Sequence, residues 1–332
     1  MLDIIIESGI KVALLIVVLL TACAYATWFE RKIVAYMQHR IGPSYAGPFG
    51  LLQPLADGIK LAFKEDIVPD NVERVTYALA PVVSFVPAIL TWAVIPLGPT
   101  VDIFGHQVTL ALSDLNIGIL YVFAITSLGV YGIVLAGWSS GSKYSLLGGI
   151  RSSAQMISYE VSYGLTIIGV ILLANTLSLQ ELVAQQSSVL DWFVFRQPLG
   201  FILFVVCGIA ETNRAPFDLA EAESELCAGF HTEYSSMRFS MFFIGEYANM
   251  FAVASVGTTL FFGGWQGPFV TTMPLIGLLW FALKVVAFMF FYIWLRATLP
   301  RFRYDQLMNF GWKVLLPLAL VNIMVTAAIV ML

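Results

Sequence analysis

Glu211–Arg238 reads ETNRAPFDLAEAESELCAGFHTEYSSMR and joins two long apolar runs, residues 190–210 and 239–262. It carries six carboxylates against two arginines, Arg214 and Arg238, so the acids are not neutralised one for one and must meet water, a partner or protons. Working outward, the other apolar runs are also about twenty residues long, the length that spans a ~30 Å hydrocarbon core. With 332 residues, 59% hydrophobic and 11% charged, the chain lies outside the soluble range.

Eight spans are expected, at roughly 8–28, 78–97, 114–137, 155–175, 190–210, 239–262, 274–296 and 314–332. The fold class is therefore an all-α integral membrane protein, one polytopic domain over 1–332. The first run lacks a basic head and a small-residue cleavage site, so it reads as a retained span. The loops after spans 1, 3, 5 and 7 hold Arg31, Lys32, Arg40, Lys60, Lys64, Arg74, Lys143, Arg151, Arg214, Arg238, Arg296, Arg301, Arg303 and Lys313. The other side has Arg196, so the positive-inside rule puts the charged loops in the cytoplasm and both termini outside. The net charge of -4 and the lack of a long basic run argue against nucleic acid. Cys23, Cys207 and Cys227 are too dispersed for a disulfide framework, a metal site or an iron–sulfur cluster.

In the first charged loop, Gln53, Asp57, Lys60 and Lys64 form one polar stripe at 4-3-4 spacing. That predicts an amphipathic helix at about 49–64 lying in the membrane interface, with Pro54 a candidate kink near its first turn. A second helix is expected from Pro216, ending at Gly229, with Asp218, Glu221 and Glu225 on one face and Glu223 pointing away. Close carboxylates of this kind repel and favour binding a proton when shielded; the bland alternative is a solvated acidic face. Glu160, Glu246 and Lys284 fall inside spans, where a charge is costly unless it faces protein or water. Lys284 either pairs with a carboxylate on a neighbouring helix or belongs to a proton or substrate path, and Lys11 snorkels from a helix end. Arg301 and Arg303 pair with the loop acids or dock a partner, and Glu30 with Arg31 forms an interfacial ion pair or part of a site. A lone loop histidine such as His39 or His231 is more often structural than a switch.

Several longer strings resemble the quinone-site membrane subunit of respiratory complex I, the NADH:quinone oxidoreductase of bacteria and mitochondria. They are FERK at 29–32, HRIGP at 39–43, GLLQPLADGIKLAFKED at 50–66, AGWSSGSKYSLLGGIRSSAQMISYE at 136–160, AETNRAPFDLAEAESEL at 210–226, EY at 233–234 and 246–247, FFGGW at 261–265 and RATLPRFRYDQLMNFGWK at 296–313. The resemblance runs along nearly the whole chain. It implies a translocase subunit with no catalytic residue and no metal, flavin or iron–sulfur cluster of its own, forming the tunnel for a quinone substrate. It implies other membrane subunits as neighbours, with iron–sulfur and quinone-site subunits of a peripheral arm on the cytoplasmic loops. The setting would be a bacterial inner membrane with both termini periplasmic, or a mitochondrial inner membrane if organellar.

By the same resemblance, the tunnel entrance is framed by span 1, the interfacial helix and span 6. Glu30, Arg31, Arg40 and Asp57 line the entrance or walls, and Glu211, Glu221, Glu223, Glu225 and Glu233 form the acidic loop beside the cavity. Glu160, Glu211 and Glu246 lead protons or charge into the membrane, with Lys284 a further candidate, and Arg214, Arg296 and Arg301 look like ion partners of the acids. Some members carry an acid inside the third span, whereas here Asp114 only borders it. Three rivals stay open: a secondary transporter, the matching subunit of a membrane-bound hydrogenase-type complex, and a structural anchor, which leaves the buried acids unexplained.

Overall fold

A computed structural model of the chain describes residues 2–103, 106–220, 223–270 and 273–331, with side chains described for all of these except 2–5, 102–103, 106–107 and 223–224. In chain order the helices are α1 (Leu2–Met37), α2 (Gln53–Phe63), α3 (Arg74–Leu90), α4 (Gly118–Ser139), α5 (Lys143–Ala174), α6 (Leu179–Gln185) and α7 (Phe193–Arg196). Then follow α8 (Pro198–Glu211), α9 (Glu223–Leu226), α10 (Ser236–Phe261), α11 (Leu275–Thr298), α12 (Tyr304–Phe310) and α13 (Leu316–Met331). A two-stranded antiparallel hairpin, β1 (Val101–Ile103) and β2 (His106–Val108), lies between α3 and α4. Among the described residues, seven helical segments are long and apolar enough to cross a membrane.

Burial is inverted in the manner of a bilayer protein. Leu14, Val17 and Val18 on α1 and Leu279, Leu283 and Val286 on α11 are exposed, while Ser152, Gln155, Thr166, Ser255 and Thr258 are fully buried. Small residues let the helices approach closely. A Cβ on Gly132 of α4 would lie 2.6 Å from the Ser84 backbone nitrogen of α3, so that crossing admits only glycine. Around α5 the core is aromatic, with Tyr163 against Phe204 and Phe204 against Phe261.

The fifth expected span departs from a continuous helix. Residues 190–210 divide into a short turn, α7, a break at Gln197 and the 14-residue α8, ~21 Å long. Pro198 opens α8, lacking the N–H that would continue α7. The buried Gln197 side chain instead donates to Thr326 Oγ1 on α13 at 2.6 Å. Conversely, α5 begins twelve residues before the expected start at 155. Its early polar residues read as loop, yet Ser145 and Ser152 face protein and Gly149 packs on Gly137. Helix α1 runs on past Glu30, Arg31 and Lys32, the charges expected to close the span.

A helix, α2, stands where the interfacial one was expected, but it starts at Gln53, and Pro54 sits in its first turn. A helix from Pro216 to Gly229 is not present. Among the described residues only the single turn of α9 is helical there, and Glu221 lies outside them. Gln155 of α5 explains part of this: its Nε2 donates to the carbonyls of Ala210 (2.8 Å) and Phe217 (2.7 Å), taking acceptors a continuing helix needs. Phe217 then stacks among Tyr159, Phe302 and Phe310.

Lys284 meets backbone, not a carboxylate. Its Nζ donates to the carbonyls of Phe262 (2.7 Å), Gly264 (2.9 Å) and Gln266 (2.7 Å) and lies 4.6 Å from the Trp192 ring centroid. It fixes the turn that leaves α10. Lys284→Met is expected to strand these carbonyls at a cost on the order of 3 kcal/mol. The measurement is the yield and melting temperature of the folded protein.

Candidate functional site

Four of the acids and arginines read from the sequence, Glu30, Arg296, Glu246 and Arg214, meet around α1, α10 and α11. Glu30 of α1 is 8% exposed. It forms an ion pair with Arg296 near the end of α11 and accepts a 2.7 Å hydrogen bond from the Tyr247 hydroxyl of α10. Arg214, from the turn after α8, lies with its guanidinium carbon 4.5 Å from the Tyr247 ring centroid and its Nε 2.8 Å from Glu246 Oε1. Successive residues on a helix point about 100° apart, so Tyr247 faces α1 while Glu246 faces the interior. One tyrosine thus touches both ion pairs.

Behind Glu246 is a small cavity of about 40 Å³ whose lining includes Glu211, Asn213, His231 and Glu246. It has room for a few water molecules. Glu211 is 7% exposed, and its Oε2 has no hydrogen-bond partner among the described residues. Glu160 of α5 lies within electrostatic reach of it. Glu160 in turn accepts a hydrogen bond from Ser127 of α4. The acids therefore follow one another from α1 inward: Glu30, Glu246, Glu211, Glu160.

At the outer end, Asp57 of α2 accepts from Arg31 Nη1 (2.7 Å) and Gln53 Nε2 (3.0 Å) and lies 3.7 Å from Lys60. Helix α2 is thereby tied to the end of α1. Arg40 is exposed and bonded to Gln38. In the acidic loop, Asp218 and Glu225 do not share a helical face. Asp218 is buried and pairs with Arg301 at 2.9 Å, while Glu225 pairs with Arg151 at 2.6 Å. A compact carboxylate cluster from these two is excluded, because each meets its own arginine on a different element. Glu223 is placed in α9 without a described side chain, and the Glu233 carbonyl accepts from Tyr77. Arg303 pairs with Asp305.

Burial pushes the His231 imidazole from its ordinary 6.5 down to about 4. It stacks on Phe243 at 5.7 Å and meets Phe239 at a tilt, 5.3 Å away. The folded loop refuses a proton that the opened chain accepts, so its stability is full above pH 6.5 and is lost as pH falls from there toward 4. The hydrogen-exchange protection factors across residues 228–240 are expected to fall between pH 7 and pH 5, and His231→Phe should flatten that fall.

A family model described as NADH dehydrogenase matches residues 10–327. The chain belongs to the NADH dehydrogenase family. It is 54% identical over 332 residues to an NADH-quinone oxidoreductase H subunit of Geobacter metallireducens, an alignment covering 97% of this chain and 94% of that one. To the corresponding H subunit of Thermomicrobium roseum it is 55% identical over 320 residues, covering 94% and 92%. To an H subunit of Cytophaga hutchinsonii it is 47% identical over 338 residues, covering 99% and 98%.

In this member of the NADH dehydrogenase family, Arg214, Arg296 and Arg301 each meet an acid, and Glu30, Glu246, Glu211 and Glu160 are brought into sequence. Lys284 is tied to backbone at the other end of α10, and Glu221 lies outside the described residues. Helix α4 carries no acid; Asp114, before it, is bonded to Ser178, and Ser127 supplies the polar group that reaches Glu160. Among the described residues no group of three His, Cys, Asp or Glu side chains is placed to hold a metal ion. Sequence reasoning missed Ser127, for which an ordinary serine in an apolar run gave no signal. It also missed Tyr247, whose place beside a buried glutamate was a usable one.

Proposed function

We propose that the chain is the quinone-site membrane subunit of a proton-translocating NADH:quinone oxidoreductase. The observation that carries this is the run of linked ionisable groups from Glu30 through Tyr247 and Arg214 to Glu246, continuing by the cavity to Glu211 and Glu160. The names of the relatives favour quinone over a hydrogenase-type partner.

In this reading α8 with α7 completes an eighth, broken span. The termini are periplasmic in a bacterial inner membrane, and α2 lies in the cytoplasmic interface. Glu30, Arg31, Arg40, Asp57 and Arg296 frame the quinone entrance, and the acidic loop with Glu225 and Glu233 flanks the cavity. Electrons arrive from NADH through flavin and iron–sulfur subunits docked on the cytoplasmic loops, and no bond of the quinone is made or broken by a group of this chain.

Reduction of a quinone takes two electrons and two protons. Negative charge appearing on it before protonation competes with Glu30 for Arg296. Loosening that pair changes what the Tyr247 hydroxyl meets, and the ring carries the change to the guanidinium that holds Glu246. The coupling is electrostatic and strongest at Glu30 and Arg214, which are buried.

A photoreactive quinone analogue bound to the intact complex tests the entrance. Labelling within residues 28–57, displaced by excess quinone, is the expected result, and Asp57→Leu should raise the apparent KM for quinone about threefold by freeing α2. Label found only on other subunits, with an unchanged KM, would overturn the assignment.

A further inference from the structure

A second, larger hollow lies on another side of the bundle. An apolar groove of about 660 Å³ separates α8 from α11. Ile202, Val205 and Ile209 form one wall at helical spacing, and Ala287, Phe291 and Leu295 form the other. Phe262 lies at one end, and Phe302 and Phe310 at the end toward the arginine-rich loop. From Lys284 to Leu299 it runs roughly 22 Å along α11. None of Glu30, Arg31, Arg40 or Asp57 lines it, so it is separate from the proposed quinone entrance. Among the described residues the only charged lining group is Lys284, whose ammonium is already held by three carbonyls.

We propose that this groove binds an acyl chain of an anionic phospholipid as a resident structural ligand. Size argues for a chain over a helix. A second helix about 10 Å across, laid along the same stretch, takes up about 1,700 Å³. The groove itself offers about 660 Å³. A flexible hydrocarbon chain fits a long, narrow slot open to the side, apolar except where Lys284 lines it.

Charge argues for the headgroup. At the end marked by Phe302 and Phe310 stand the exposed Arg303 and Lys313. The Arg303 pair with Asp305 is solvent-exposed on both sides and gives way readily to a phosphate. Trp294 and Trp312 are exposed too, as interfacial anchors are. Basic residues at the cytoplasmic mouth of an apolar slot match the anionic lipid of that leaflet.

The test uses the intact complex in vesicles of phosphatidylcholine containing phosphatidylglycerol with a diazirine in its acyl chain. Crosslinks are expected on α8 and α11. Ala287→Trp, which fills the slot, should cut them at least about fivefold, and Ile202→Trp on the opposite wall serves if the first variant assembles poorly. Unlabelled phosphatidylglycerol should compete better than phosphatidylcholine, and Arg303→Gln with Lys313→Gln should abolish that preference. Three results each overturn the proposal: no α8 or α11 crosslinks in the intact complex, which assigns the groove to a neighbouring subunit; crosslinks indifferent to both tryptophans; or displacement by a long-tailed quinone but not by phosphatidylglycerol.

Discussion

Arg214→Met is expected to lower NADH:quinone activity per assembled complex at least about tenfold and to reduce assembly, with much of the loss recovered in Arg214→Met/Glu246→Gln. Arg214 is buried, holds Glu246 at 2.8 Å and covers the Tyr247 ring. Removing one member of such a pair leaves the other charge shielded from water with less to stabilise it, a penalty of about 3–5 kcal/mol. Neutralising the acid as well removes the penalty but not the missing link, so stability should return further than coupling does. Complex content on native gels, divided into quinone-dependent and hydrophilic-acceptor activities, separates the two effects. A double variant no better assembled than the single one would mean that the pair is not the main partner relation at this point.

How far the site was legible follows from the same residues. Charges inside apolar runs announce themselves, because the membrane makes them expensive; Glu160, Glu246 and Lys284 stood out for that reason. What each charge meets depends on where other helices cross. Lys284 and Glu246 looked alike from the sequence, yet one meets three backbone carbonyls and the other an arginine. The acidic loop misled because 3-4 spacing implies a shared face only if the segment is helical. Gln155, more than fifty residues upstream, removes the carbonyls that would make it so. Seven of the expected spans appear as helices of spanning length, since long apolar runs carry that signal unaided, whereas α8 is cut short by Pro198, whose effect depends on Gln197 reaching α13.

Glu160→Gln is expected to reduce proton translocation at least about tenfold, with NADH oxidation by a hydrophilic acceptor retained. Glutamine keeps the shape and can still accept from Ser127, so packing at the α4–α5 contact is preserved while the site can no longer take up a proton. Glu211→Gln, one step nearer the cavity, should give the same phenotype, and the double variant should be no worse than either, as expected of two members of one relay. Ser127→Ala removes only the donor and leaves the carboxyl in place, so its effect should stay within about threefold. Acidification of vesicles on NADH addition, scaled to electron flow, is the measurement. Wild-type pumping in assembled Glu160→Gln complex would take Glu160 out of the path and leave the Glu30–Tyr247–Arg214–Glu246 run ending at the cavity, with protons leaving through water beside Glu211 instead of through α5.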